Sequence, residues 1–224
     1  MPLLLLDLDN TLLDRDAAFR DAVADFLAEQ GLPAADLTWV ADADASGYTP
    51  RQELATAMTD RYGSAVPAAA IRTLLDTGAR DRVVLAHSTR RALGRARAAG
   101  WTCVIVTNGR VVQQEAKIRN TGLDQLVQGW VVSEAVGRKK PEPEIFRAAA
   151  ATVGAPLRGA WVIGDSPHAD IAGADALGLR SVWVADGRAW TDDSYRPTHV
   201  AQDVTSAIDQ AITAAPCAPR HTPR

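Results

Sequence analysis

Short, fully apolar segments alternate along the chain with segments whose apolar residues recur every three or four positions. We expect the first kind to form buried strands and the second to form amphipathic helices. Near-continuous apolar strands that alternate with helices are typical of a parallel sheet covered on both faces. The pattern therefore predicts an α/β chain with five strands. They span residues 3–6, 101–106, 129–132, 160–163 and 181–184.

Helical periodicity dominates the stretch between the first and second predicted strands. After Asp14, Phe19, Val23 and Phe26 fall on one helical face, and Gly31 ends the pattern. We expect this helix and three more to form a helical insertion. The three span residues 34–45, 50–62 and 67–76. The remaining predicted helices span residues 89–99, 111–119, 143–153, 169–177 and 204–214, and we expect a poorly ordered tail over 215–224.

Composition narrows the functional classes. The chain has 224 residues, 47% of them hydrophobic, and a formal charge of −3, which favours small-molecule chemistry over nucleic-acid binding. The first apolar run is too short to cross a membrane. Cys103 and Cys217 have no spacing that suggests a disulfide or a metal site, so we expect a cytoplasmic protein. No pattern in the sequence specifies an oligomeric state.

Asp7 and Asp9 directly follow the first apolar run. At the carboxyl end of a parallel strand they lie where α/β sheets bind ligands. Two neighbouring carboxylates repel each other and resist desolvation, so they call for a cation between them. An Asx turn is the alternative for Asp9, but the position directly after a buried strand favours a metal site.

Polar residues also follow the second predicted strand. Thr107, Asn108 and Gly109 stand just before a helix. A hydroxyl, an amide and the helix amino terminus suit a phosphate oxygen. An ordinary Asn-Gly turn with Thr107 as a cap is the alternative.

Lysine is confined to three positions, and two of them are adjacent after the third strand. Lys139 and Lys140 precede Pro141, and a lysine here can hold a fixed charge against a phosphate and the aspartates. A solvated charge cluster is the alternative. We prefer Lys140 to Lys139.

The fourth predicted strand leads into Gly164, Asp165 and Ser166. Asp165 follows a buried strand as Asp7 does, so it can complete an oxygen-ligand set for Mg²⁺. Asp170 would support the site. In the alternative interpretation, Asp165 is a turn residue and Asp170 a helix N-cap.

Together these four segments resemble the motifs of the haloacid dehalogenase (HAD) superfamily, in the right order. The resemblance covers essentially residues 3–184 and implies a Rossmann-like parallel sheet core with an inserted helical cap. The implied core spans 1–14 and 88–214, and the implied cap 15–87. The matching segments are residues 7–11, 107–109, 140–141 and 164–170.

The resemblance also implies an activity. Asp9 is usually absent from the dehalogenases proper and serves as acid and base in the phosphatases, so we expect a phosphatase. Asp7 would be the nucleophile, and Mg²⁺ would be held by Asp7, the Asp9 carbonyl and Asp165. Thr107, Asn108 and Lys140 would bind the phosphate, supported by Gly109 and Asp170. Ala169 departs from the pattern, since many relatives have Asn there.

The expected partner is a small phosphorylated metabolite such as phosphoglycolate, a sugar phosphate or a nucleoside monophosphate. Trp39, Tyr48 and Arg51 of the cap are candidates for substrate contact. Two alternatives stay open at this stage. One is a phosphotransferase or phosphomutase with the same chemistry, and the other is a phospholigand-binding protein without turnover.

Overall fold

A single sheet of six parallel strands organises the computed structural model, which describes residues 1–214. The strands are β1 (Leu3–Leu6), β2 (Thr102–Thr107), β3 (Gly129–Val132), β4 (Trp161–Gly164), β5 (Arg180–Val184) and β6 (His199–Ala201). Their order across the sheet is β3-β2-β1-β4-β5-β6, and every pairing is parallel. This is the strand order of the Rossmann fold, so the predicted α/β class is confirmed.

The predicted number of five strands is wrong, because β6 is a sixth. It has only three residues, and both His199 and Val200 are exposed. An edge strand of this kind has no apolar run. The hydrophobic pattern therefore gave no signal for it.

The central strand β1 is buried on both faces. It pairs with β2 on one side and with β4 on the other, so that Leu4 lies opposite both Cys103 and Trp161. Leu3 and Leu5 belong to a core cluster that includes Phe146, while Leu4 and Leu6 are fully buried as well. The carboxyl end of β1 is therefore fixed from both sides.

The described residues contain ten α-helices. Two differ from the prediction. The short helix at residues 133–136 was not expected, and the predicted helix 169–177 begins earlier, with a π-helical turn over Pro167–Ala172. The helices are α1 (Arg15–Glu29), α2 (Asp36–Asp44), α3 (Arg51–Tyr62), α4 (Ala68–Thr77), α5 (His87–Ala98), α6 (Val111–Asn120), α7 (Ser133–Val136), α8 (Pro143–Thr152), α9 (Gly173–Ala176) and α10 (Val204–Ala214).

Contacts divide the described chain into two compact units. The sheet unit contains residues 1–12, 86–108 and 124 onward, and the helical unit contains 13–85 and 109–123. Helix α6 belongs to the helical unit, where Gln113 Nε2 donates to the Asp76 carbonyl at 3.1 Å. The boundaries expected from the sequence, 15–87 for a cap, stay a prediction. Cys217 and the expected tail lie outside the described residues.

The helical unit has its own apolar core around Phe19, Val23 and Leu54. A buried ion pair lies beside it. Arg15 donates to Asp44 through both terminal nitrogens, and Asp44 also accepts from Arg51 Nη1 at 2.9 Å. Both members of the Arg15–Asp44 pair are at most 3% exposed at the side chain. Desolvation would lower the pKa of Arg15, but the charge of Asp44 and the hydrogen bonds that Arg15 donates to it, with a further contribution from Asp16, outweigh that effect and raise the pKa.

We expect Asp44→Ala to lower the free energy of unfolding by about 3 kcal/mol, because it removes the buried partner of the Arg15 charge and leaves only the more exposed Asp16 beside it. Urea unfolding followed by circular dichroism measures the change. Asp76→Ala is the matched control, since Asp76 pairs with Arg110 in the same unit but both side chains are more than half exposed. Equal losses of unfolding free energy in Asp44→Ala and Asp76→Ala would contradict the stabilising effect assigned to the buried Arg15–Asp44 pair.

Within residues 1–214, no helix is both long enough and apolar enough to cross a membrane. Cys103 is a free, buried thiol in β2, and burial raises its pKa to about 12. It is therefore a core residue with little thiolate character.

Candidate active site

Asp7 and Asp165, the candidate metal ligands after β1 and β4, lie at the carboxyl edge of the sheet. Asp7 follows β1, and its N–H donates to the Ile163 carbonyl of β4 at 2.9 Å. Asp165 follows Gly164 at the end of β4. The chain passes from β1 to β2 on one side of the sheet and returns to β4 on the other, so the strand order reverses between these ends. Ligands of open α/β sheets bind at such a switch point.

Lys140 pairs with two carboxylates at this edge, those of Asp7 and Asp170. Lys140 Nζ lies 2.5 Å from Asp7 Oδ1 and 2.7 Å from Asp170 Oδ1. Lys140 is 4% exposed, whereas Lys139 is exposed to solvent. Of the two adjacent lysines, Lys140 is the one at this site.

Asn108, which directly follows β2, fixes the backbone of Lys140. Asn108 Nδ2 donates to the Lys140 carbonyl at 3.1 Å, and the Lys140 N–H donates to Asn108 Oδ1 at 2.8 Å. Thr107 is buried, and its hydroxyl lies 3.4 Å from the Asn108 carbonyl. Gly109 follows with φ of 146°, and a Cβ there would lie 3.0 Å from Gln114 Cγ. The Asn108 side chain thus positions Lys140.

The segment after β4 is shaped around Asp170. The Ser166 N–H donates to Asp170 Oδ2 at 3.1 Å, and Ser166 Oγ accepts from the Ala169 N–H at 3.1 Å. Ser166 is therefore the N-cap of the following turn, so the alternative that made Asp170 the cap is wrong. A Cβ at Gly164 would lie only 2.1 Å from Asp170 Oδ2, which explains the glycine.

Three carboxylates converge at this edge. Oxygens of Asp7, Asp165 and Asp170 lie within 4.8 Å of one another. The Asp9 carboxylate is not in this cluster. The predicted metal ligand from Asp9 is its backbone carbonyl, not its carboxylate. Asp170 already accepts from Lys140 and Ser166. Asp7 likewise accepts from Lys140 and from the Thr11 hydroxyl. The three carboxylates together form the donor set for a cation.

The cluster carries more negative charge than Lys140 neutralises. Burial, opposed by Lys140 and reinforced by Asp170, raises the pKa of Asp7 to about 7. Burial and the neighbouring Asp7 raise the pKa of Asp165 to about 8. Burial alone would lower the pKa of Lys140, but Asp170 and Asp7 outweigh it and raise that pKa. Oxygen donors with an unmet demand for positive charge fit Mg²⁺.

Three residues at the site were missed by the sequence analysis. The Thr11 hydroxyl donates to Asp7 Oδ2 at 3.3 Å. Trp183 Nε1 and Arg188 Nη2 both donate to the Asp165 carbonyl. Thr11 lies within the first of the matching segments, residues 7–11, and could have been predicted from it. The other two act on a backbone oxygen across strands, which leaves no local pattern.

The candidates for substrate contact in the helical unit differ in their surroundings. Trp39 packs edge-on against Tyr62, and the Arg61 guanidinium lies 4.4 Å from the centre of the Trp39 ring. Arg51 is paired with Asp44. Tyr48 is 65% exposed. Trp39 is therefore a packing residue of this unit, and Tyr48 is the most accessible of the three.

Comparison with known proteins identifies relatives over most of the chain. The family model of haloacid dehalogenase-like hydrolases matches residues 1–178. A phosphoglycolate phosphatase of Cupriavidus necator is 30% identical over 189 residues, which cover 83% of this chain and 81% of that protein. The crystal structure of the magnesium-bound HAD-hydrolase YfnB from Bacillus subtilis aligns with a TM-score of 0.76 at 24% identity, covering 94% of this chain and 98% of YfnB.

A higher identity is found over a shorter stretch. The glyceraldehyde 3-phosphate phosphatase of Pyrococcus abyssi is 33% identical over 99 residues, which cover 44% of this chain and 42% of that protein. The chain thus spans less than half the length of this relative.

Proposed function

Because the chain belongs to the haloacid dehalogenase-like hydrolases, we propose that it is a Mg²⁺-dependent phosphatase of a small phosphomonoester. One observation carries the proposal. It is the convergence of the carboxylates of Asp7, Asp165 and Asp170 at the carboxyl edge of the sheet, with Lys140 bonded to Asp7 and Asp170. Phosphatase names among the relatives support the same class.

In this mechanism Asp7 attacks the phosphorus atom and forms an aspartyl-phosphate, while the ester bond to the leaving oxygen breaks. Asp9 gives a proton to that oxygen. Asp9 then takes a proton from the water that attacks the aspartyl-phosphate, which releases inorganic phosphate and restores Asp7. Two easier steps thereby replace one difficult step.

The remaining residues stabilise charge. Lys140 holds a fixed positive charge beside Asp7, and the Thr107 hydroxyl and the Asn108 backbone N–H complete the proposed phosphate site, with Gly109 in support. Thr11 orients the nucleophile through its bond to Asp7 Oδ2. Asp7, Asp165 and the Asp9 carbonyl would hold Mg²⁺, which when bound would supply charge neutralisation for the phosphoryl oxygens. Asp170 supports the site by fixing Lys140.

Phosphate release from a panel of phosphomonoesters tests this function. The panel contains phosphoglycolate, glyceraldehyde 3-phosphate, hexose phosphates and nucleoside monophosphates, each assayed with Mg²⁺ and with EDTA. We expect Mg²⁺-dependent release of inorganic phosphate from at least one member. Transfer of phosphate to another hydroxyl without release would indicate a phosphotransferase or mutase. Binding of Mg²⁺ and beryllium fluoride without any turnover would indicate a phospholigand-binding protein.

Metal affinity should depend on pH in a defined direction. Protons compete with the cation for carboxylates whose pKa values are raised to about 7 for Asp7 and about 8 for Asp165. We therefore expect the dissociation constant for Mg²⁺ to fall as pH rises from 6 to 9 and to level off above this range. Calorimetric titration at several pH values measures it. A constant value across the range would contradict the assignment of these two ligands.

A further inference from the structure

The Asp165 carbonyl is held by two side chains from the neighbouring strand region. Trp183 Nε1 donates to it at 2.8 Å, and Arg188 Nη2 donates to it at 3.0 Å. Asp165 lies one residue beyond β4, where the backbone pairing with β5 has ended at Gly164 and Trp183. Side-chain donors thus replace the strand pairing at the position that presents the Asp165 carboxylate.

Arg188 connects several backbone oxygens at once. Its Nε donates to the Ala185 carbonyl at 2.9 Å, and its Nη2 also donates to the Val184 carbonyl at 3.0 Å. The guanidinium lies 5.4 Å from the centre of the Trp183 ring. The planar, rigid group of arginine can serve this many acceptors in a fixed geometry, and lysine cannot. The Arg188 side chain therefore ties the end of β5 to the residue after β4.

The contact between Arg188 and the Asp165 carboxylate is weaker. Nη2 lies 3.4 Å from Oδ2, and the Arg188 side chain is 47% exposed. Charge pairing at such a distance and exposure contributes little. The stronger contacts are those with the backbone, so orientation rather than neutralisation is the main effect of Arg188.

We propose that Arg188, together with Trp183, is a positioning residue that holds Asp165 in the orientation in which it binds the divalent cation. This inference rests on the proposed Mg²⁺-dependent phosphatase function. Residues that orient a metal ligand affect metal affinity without touching the metal.

The direction of the change in metal affinity distinguishes a positioning effect of Arg188 from an effect of its charge. Loss of a positive charge near the site would by itself strengthen cation binding, whereas loss of the backbone contacts would weaken it. Arg188→Lys retains the charge but cannot serve the same set of carbonyls. Arg180→Ala is the matched control. Arg180 is the first residue of β5 and also lies over an indole ring, that of Trp161 at 4.6 Å, whereas Arg188 lies beyond the other end of that strand.

The experiment measures binding of Mn²⁺ alone, from the loss of the free-ion signal in electron paramagnetic resonance, in the 224-residue chain and the three variants. We expect Arg188→Ala and Arg188→Lys to weaken Mn²⁺ binding about tenfold. Arg180→Ala should bind as the unchanged protein does. The Mg²⁺ concentration for half-maximal phosphate release should rise in parallel, with kcat at saturating Mg²⁺ little changed.

Two results would overturn the proposal. Unchanged or tighter Mn²⁺ binding in Arg188→Ala would exclude positioning, and an Arg188→Lys variant equal to the unchanged protein would show that the contacts of the guanidinium with the backbone carbonyls are not what orients Asp165. Circular dichroism checks that each variant is folded. If the unchanged protein neither binds Mn²⁺ nor releases phosphate, the proposed function itself fails. A protein that does both while Arg188→Ala matches Arg180→Ala refutes only the part played by Arg188.

Discussion

Replacing Asp7 with asparagine is expected to abolish phosphate release and to leave the fold intact. The amide has nearly the same shape, but it is a poor nucleophile and cannot form the aspartyl-phosphate. Turnover should fall by a factor on the order of 10⁴ or more. Because Asp7 is 8% exposed and its pKa is raised by burial, a neutral group at this position should not lower the stability.

Asp175→Asn is the matched control, since Asp175 is an exposed residue of α9 in the sheet unit. It should retain full activity. The mass of the intact Asp7→Asn protein must be checked, so that deamidation does not restore the carboxylate. Retained Mg²⁺-dependent turnover in a variant of verified mass would show that Asp7 is not the nucleophile.

Replacing Lys140 with methionine is expected to have the second largest effect. It removes the charge that lies 2.5 Å from Asp7 and 2.7 Å from Asp170, in a position only 4% exposed. Loss of one preorganised charge of this kind lowers kcat by about 10² to 10³. Phosphate release under saturating substrate and Mg²⁺ measures the loss.

Lys139→Met controls for the general effect of removing a lysine from this segment, since Lys139 is exposed. It should leave kcat unchanged. Lys140→Arg retains the charge in a larger group and should recover part of the loss. Equal activity of the Lys139 and Lys140 methionine variants would contradict the part assigned to Lys140. Circular dichroism distinguishes lost chemistry from lost fold.

The sheet could be predicted from the sequence because its strands are buried on both faces. The run of four leucines in β1 and the observed limits of β3 agree with the prediction to the residue. Asp7 and Asp165 could be located for the same reason, since each directly follows such a run. The edge strand β6, with two exposed residues out of three, has no comparable pattern.

Other features depend on contacts between distant parts of the chain. The sequence favours Lys140 over Lys139 but leaves both open, and the burial of Lys140 against Asp7 and Asp170 makes the difference. The grouping of α6 with the helical unit rests on contacts such as that of Gln113 with Asp76. Spacing along the chain carries no information about such pairs.

In the proposed mechanism Asp7 becomes phosphorylated and Asp9 completes the cycle. The most direct measurement uses Asp9→Asn with p-nitrophenyl phosphate, whose leaving group is acidic enough to depart without a proton. We expect a burst of one p-nitrophenolate per chain, followed by very slow turnover, and an acid-stable phosphoryl group on the peptide that contains Asp7. Slow turnover without a burst, and no phosphoryl group on that peptide, would contradict it.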